Sequence, residues 1–228
     1  MEYTPRDIAK MIDHSLLRPE LTQEDITKGC QIARKYDVAA VCCTPSDIAS
    51  VKRELAGSSV RIAAVIGFPH GYCTTATKAF EAEQAIGEGA HELDMVLHIG
   101  RLLSRDFDYV RADIKAVADV ARTHGVAVKV ILENCYLTDE LKKIGCRLCE
   151  EAGADFVKTS TGFAKGGATL DDLRLMRSTV SAKVRVKAAG GVRDLDMALK
   201  VRETGATRFG ATATQAIMEE AFRRKGGK

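Results

Sequence analysis

Eight short apolar runs, rich in β-branched residues, alternate with longer amphipathic stretches along the chain. The runs cover 12–16, 38–43, 62–67, 92–97, 127–132, 156–160, 184–189 and 207–211. Between them, at 22–36, 75–88, 108–123, 139–151, 170–178 and 194–203, charges recur three and four residues apart, as on a helix with one buried face. Thr22 before Asp25, and Thr138 before Asp139 and Glu140, read as helix N-caps. A helix-stop glycine followed by Ala or Val recurs at Gly89, Gly125, Gly153 and Gly205, so one supersecondary unit is used repeatedly. Strand–helix alternation predicts a parallel sheet. Eight units in 228 residues, or 28.5 residues each, predict a closed (β/α)8 TIM barrel, one α/β domain over 1–228. The alternative is an open doubly wound sheet, but GxGxxG after the first strand and a Walker A sequence are both missing.

Composition narrows the partners. A formal charge of +3 argues against nucleic acid or a membrane surface. Aromatics are 5% with no Trp, so there is no stacking platform for single-stranded nucleic acid. Charges run through the first twenty residues, and no secretory signal is expected. The longest stretch without formal charge, 62–77, is broken by Gly67, Pro69 and Gly71, so no spanning helix is expected either. Seven scattered cysteines read as reduced thiols in a cytoplasmic protein. Cys146 and Cys149 share a helix face with no second Cys/His pair to complete a zinc site, and adjacent Cys42 and Cys43 suit neither zinc nor a disulfide.

Charged residues inside apolar strands mark the chemistry. Lys129, Lys158 and Lys187 are spaced 29 residues apart, one per consecutive unit, and so lie on three neighbouring strands. Desolvation and a cationic neighbour both disfavour an ammonium and lower its pKa. The neutral amine that results is what a Schiff-base nucleophile requires. Otherwise each lysine would serve only to pair with an internal acid such as Asp94 or Glu133. Asp94, Glu133 and Asp13 stand in or at the ends of strands, where carboxylates are ion-pair partners or proton carriers.

Chemistry in such barrels sits at the C-terminal strand ends, and phosphate commonly binds the loops after strands seven and eight. Ser160-Thr161-Gly162, Gly190-Gly191 and Gly210 put small residues there, with backbone N–H groups free to meet an anion at a helix N-terminus. Thr212 could add a hydroxyl. His91 and His98 flank one strand seven residues apart, on opposite faces, so a shared metal is not expected, and HExxH is missing.

The segments IDHSLLRPE, VAAVCCTPSDI, GAHELDMVLHIG, VKVILENCYLT, AGADFVKTSTGF, VKAAGGVRD and GATRFGA together resemble the deoxyribose-phosphate aldolases, class I aldolases built on a (β/α)8 barrel. The likeness runs from about Ile12 to Ala211, and KTSTGF with KAAGGVRD is highly specific. It implies reversible cleavage of 2-deoxy-D-ribose 5-phosphate to acetaldehyde and D-glyceraldehyde 3-phosphate, in deoxyribose phosphate catabolism. By motif, Lys158 forms the imine, Lys187 keeps it deprotonated, and Asp94 relays protons. Gly162, Gly190, Gly191, Gly210 and Thr212 would hold the phosphate, and Asp13, Cys42 and Lys129 would line the site. No metal or other cofactor is implied, because the iminium does the work of a Lewis acid. The partner implied is a small sugar phosphate, with the chain assembled as a homo-oligomer, a dimer. His91 replaces a frequent acid, His98 a usual Asn, Asn134 a common Thr, and Ala213 one of a Ser pair; a C-terminal tyrosine of some members is absent. These departures leave open a related Schiff-base aldolase with another aldehyde or ketone donor.

Overall fold

The computed structural model describes residues 2–226. Among them, eight strands run β1 (Ile12–Leu16), β2 (Ala40–Cys43), β3 (Arg61–Ile66), β4 (Glu92–Val96), β5 (Ala127–Ile131), β6 (Phe156–Lys158), β7 (Arg185–Ala188) and β8 (Arg208–Ala211). All pair in parallel with their sequence neighbours, and β8 returns to β1 through Ile12↔Phe209 and Asp13↔Gly210, closing the barrel. The helices are α1 (Pro5–Ala9), α2 (Gln23–Lys35), α3 (Ile48–Glu54), α4 (Thr75–Glu88), α5 (Ile99–Leu103), α6 (Phe107–Thr123), α7 (Asp139–Glu151), α8 (Leu170–Thr179), α9 (Leu195–Glu203) and α10 (Thr214–Arg224). None among the described residues is long and apolar enough to cross a membrane.

The period-two alternation sorts each strand between two cores. Outward residues such as Val41, Ile62, Ala64, Leu93, Val130, Val157 and Phe209 pack against the helices. Inward residues divide by sector. Ala40, Cys42, Ala63 and Val65, from β2 and β3, form a small apolar cluster with Leu17 and Phe68. The other strands send in Asp13, Glu92, Asp94, Lys129, Lys158, Lys187 and Arg208. Small residues on one side leave room for long charged ones on the other.

The capping residues act as expected. Thr22 closes a capping box with Asp25, and Thr138 accepts from the Leu141 N–H. Periodicity did not reveal α1, α3, α5 or α10. The first three span five to seven residues, too short to complete a 3.6-residue pattern, and α10 follows the last strand.

A fully buried ion pair steadies β4 from outside. Lys78 of α4 reaches Asp113 of α6 at 2.6 Å and donates to the Val96 carbonyl at 2.9 Å. Val96 ends the strand that carries Asp94, so this pair fixes the acid's frame.

His14 faces outward from β1, with Nδ1 2.8 Å from Thr214 Oγ1 at the start of α10. Burial pushes its imidazole down to about 4, whereas an unfolded histidine titrates near 6.5. The unfolded chain therefore takes the proton first. The contribution of His14 to stability is complete above about pH 6.5 and is lost as pH falls towards 4, to a total of about 3 kcal/mol. Urea unfolding of the parent and His14→Gln across that window should show a shallower acid decline in the variant. Parallel declines would reject the assignment.

Candidate active site

At the C-terminal mouth of the barrel lies a cavity of about 550 Å³. Lys158 and Lys187 form its floor with Asp13 and Cys42, while Gly162, Gly190, Gly191, Gly210 and Thr212 line its walls. Register explains the convergence. Lys158 pairs with Lys187 across β6 and β7, so both amines enter at one level. Asp94 pairs with Lys129 across β4 and β5.

Three lysines gather on a single carboxylate. Asp94 Oδ1 accepts from Lys129 Nζ at 2.7 Å, while Oδ2 accepts from both Lys158 Nζ and Lys187 Nζ at 2.7 Å. Lys187 also donates to Asp13 Oδ2. The exposures of Lys129, Lys158 and Lys187 are 0%, 3% and 1%. Cys42 Sγ stands 3.9 Å from Asp94 Oδ2, and burial pushes this thiol up to about 11, so it remains protonated.

These contacts treat the lysines differently. Burial lowers the Lys158 pKa; Asp94 resists and Lys187 adds to the lowering, and the net shift is downward. For Lys187, burial acts in the same direction, but Asp13 and Asp94 outweigh it and the pKa rises. Lys129 also rises against burial, chiefly through Asp94. Asp94 is held well below the usual carboxylate range, its burial outweighed by Lys129, Lys158 and Lys187. The site thus joins a lysine eased towards its free base, a firm ammonium and a firm carboxylate.

One expectation needs correction. Lys129 does not line the cavity; it sits one layer deeper, fully buried, between Asp94 and Glu92, which accepts from it at 2.6 Å. A strand's period of two places it two residues below the level of Lys158, since Ile131 is the β5 partner of Lys158. Glu133 meets no lysine within ion-pair distance among the described residues. Its backbone is left-handed, at φ 57, and its carboxylate accepts from the Thr161 N–H at 3.2 Å and from the Thr161 hydroxyl. Burial raises its pKa. Glu133 therefore pins the loop that follows Lys158.

The histidines stay apart from the chemistry. His91 Nδ1 accepts from the Ile62 N–H and His98 Nδ1 from the Arg101 N–H.

The glycine-lined wall is built from close backbone approaches. Gly190 has φ 77, and a Cβ there would stand 2.9 Å from Gly167 Cα, so only glycine fits. The Ala168 N–H donates to the Ala189 and Gly190 carbonyls at 2.9 and 3.0 Å, joining the loops after β6 and β7. Gly210, at ordinary φ, faces inward beside Asp13 and keeps the wall open. Two residues after Thr212, α10 begins at Thr214.

Several contributors went unread in the sequence. Arg18 and Arg193 line the cavity from loops, where no periodic signal distinguishes them, and Ser15 lines it from β1. Arg208 and Glu92 complete the interior charges: Arg208 Nε donates to Asp13 Oδ1 at 2.8 Å, and its Nη2 reaches Glu92 Oε2 at 2.8 Å. Both sit two residues before a residue already singled out, Gly210 and Asp94. The signal used for the lysines, a charge inside an apolar strand, would have found them.

The chain matches the model of the DeoC/LacD family aldolases over residues 8–219. It is 49% identical over 225 residues to the deoxyribose-phosphate aldolase of Rhodopirellula baltica, covering 99% of this chain and 93% of that protein. The Thermococcus gammatolerans deoxyribose-phosphate aldolase is 51% identical over 217 residues, with 94% and 96% covered. A solved structure described as QR15, an aldolase, superposes with a TM-score of 0.91 at 37% identity, covering 96% of this chain and 97% of its own. The tetrameric deoxyribose phosphate aldolase of Aeropyrum pernix superposes at 0.88 with 31% identity, covering 95% and 92%.

Proposed function

The chain belongs to the DeoC/LacD family of aldolases, and from that premise we propose that it works through an imine on Lys158. It is a carbon–carbon lyase that reversibly cleaves 2-deoxy-D-ribose 5-phosphate to acetaldehyde and D-glyceraldehyde 3-phosphate. The observation that carries the Lys158 assignment is the shared carboxylate: of the two cavity-floor amines on Asp94 Oδ2, Lys158 is the one whose pKa falls.

The sequence of steps follows from that asymmetry. The Lys158 amine adds to the C1 aldehyde of the open-chain sugar, and loss of water leaves an iminium. A base removes the C3 hydroxyl proton. The C2–C3 bonding pair then moves to C1=C2, neutralising the iminium as an enamine and releasing glyceraldehyde 3-phosphate. Protonation at C2 and hydrolysis release acetaldehyde and restore Lys158. Asp94 and Lys187 share a hydrogen bond and serve as the proton relay. Asp13 holds Lys187 in place from β1.

The phosphate is read as lying against Gly162, Gly190, Gly191, Gly210 and Thr212, which line one wall of the same cavity. Exposed backbone N–H groups and the α10 N-terminus favour a dianion there. Cys42 closes the floor as a neutral thiol.

A cytoplasmic location fits seven free cysteines, five of them buried. A homo-oligomer, read as a dimer, is the expected assembly; the Aeropyrum relative is described as tetrameric.

The test is reduction by borohydride in the presence of 2-deoxy-D-ribose 5-phosphate, followed by peptide mapping. A covalent adduct should appear on the peptide containing Lys158. An adduct confined to Lys187, or no adduct, would overturn the assignment.

A further inference from the structure

The barrel interior holds one more cation than anions, all of them buried except Arg208, whose side chain is 11% exposed. Lys129, Lys158, Lys187 and Arg208 face Asp13, Glu92 and Asp94. Arg61 and Arg185 stand at the rim below. The Arg61 side chain is 61% exposed, and the Arg185 guanidinium lies over the Phe156 ring, 3.9 Å from its centroid. They are solvated charges outside the set.

An uncompensated charge in a water-poor interior is costly, and losing one proton removes it. The contacts identify the group that yields it. Lys129 touches Asp94 and Glu92, and Lys187 touches Asp13 and Asp94. Arg208 touches Asp13 at 2.5 Å and Glu92 at 2.8 Å. Lys158 touches Asp94 alone, through the oxygen it shares with Lys187. A guanidinium does not deprotonate in proteins, so the surplus falls on a lysine, and Lys158 is the least held.

We propose that Arg208 is a positioning residue for the Schiff-base chemistry: from the barrel floor, without touching the substrate cavity, it supplies the surplus charge that keeps Lys158 a free base. It also occupies Asp13 and Glu92, so neither is left over to stabilise a fourth ammonium. The inference rests on Lys158 being the imine-forming amine.

The groups facing Arg208 are Asp13 of β1, Glu92 and Asp94 of β4 and its register partner Lys187 of β7, with Lys129 of β5 sharing Glu92 and with Arg61 and Arg185 beyond. Around Lys158 stand Asp94 of β4, Lys187 of β7 and Cys42 of β2, with Glu133 after β5. In Arg208→Met, three lysines face three carboxylates, and Lys158 then keeps its proton.

The experiment is the pH profile of kcat/KM, whose acid limb reports the free-enzyme pKa of the essential base. Arg208→Met should move that limb up by about one pH unit or more, a loss of about tenfold in rate at any pH below both limbs. Arg208→Lys, which keeps the charge, should leave the limb near its parent position. Removing one charge of each sign, in Glu92→Gln/Arg208→Met, restores the surplus and should bring the limb back. If thermal melts show Arg208→Met to be unfolded, Arg208→Gln carries the same expectation, since it keeps a donor for Asp13 and Glu92 without the charge.

A stationary limb in the folded neutral variant would overturn the proposal. So would an equal shift in Arg208→Lys, or a double variant that stays with the single one. Borohydride trapping above the limb separates the premise. An adduct on Lys158 in the parent leaves Arg208 alone on trial, and its absence there overturns the Schiff-base assignment itself.

Discussion

Lys158→Leu should lose turnover by roughly 10⁴-fold or more while remaining folded, because no other group at the cavity floor offers a free-base amine. Lys187 lies equally close to the substrate space, but Asp13 and Asp94 hold it as an ammonium. A leucine on β6 fits the inward position without burying a new polar group. It also leaves three cations, Lys129, Lys187 and Arg208, facing three carboxylates. The interior is then balanced, so the melting temperature should not fall steeply. Coupled reduction of the released triose phosphate gives the rate, and a thermal melt gives the control. Turnover within about tenfold of the parent would place the nucleophile elsewhere.

Asp94→Asn should divide the reaction into a part that survives and a part that fails. Its carboxylate accepts from three lysines and, in the proposed reaction, relays protons, so losing it should lower kcat by about 10²- to 10⁴-fold. The imine itself needs only a neutral Lys158. Asp94 raises the Lys158 pKa, so an amide at that position lets it fall further. The acid limb of the remaining activity should therefore move down in pH, opposite to the direction expected for Arg208→Met. Borohydride should still trap an adduct. The variant also leaves buried ammonium groups short of a partner, a cost of about 3–5 kcal/mol, so its melting temperature should drop. Single-turnover trapping and steady-state rates, measured together, decide the matter. A kcat close to that of the parent would remove Asp94 from the relay.

The two variants separate what each strand contributes. In the proposed reaction the lysine on β6 is the reagent, whereas the acid on β4 is a junction with three connections. Such a junction is sensitive to geometry, which gives the buried Lys78–Asp113 pair its role: it holds the Val96 carbonyl at the end of the same strand.

Much of this was legible before any coordinates. The barrel follows from the strand–helix period, since a strand buries alternate residues and a helix one stripe whatever their neighbours. Lys129, Lys158 and Lys187 stand out because a charge within an apolar run needs an explanation. Less visible were residues on loops, such as Arg18 and Arg193, whose surroundings carry no repeat. Glu133 was visible as a residue but its partner was not, because a left-handed backbone turns its carboxylate to Thr161 rather than to a lysine.

Sequence alone determined the architecture and the identity of the amines, because both are written in local patterns of polarity. The contacts that ease Lys158, and not Lys187, towards its free base are visible only in three dimensions. Asp13 and Arg208 lie 195 residues apart in the chain and 2.5 Å apart in the barrel. Protonation depends on the sum of such neighbours, and strand register, not sequence spacing, sets their distances.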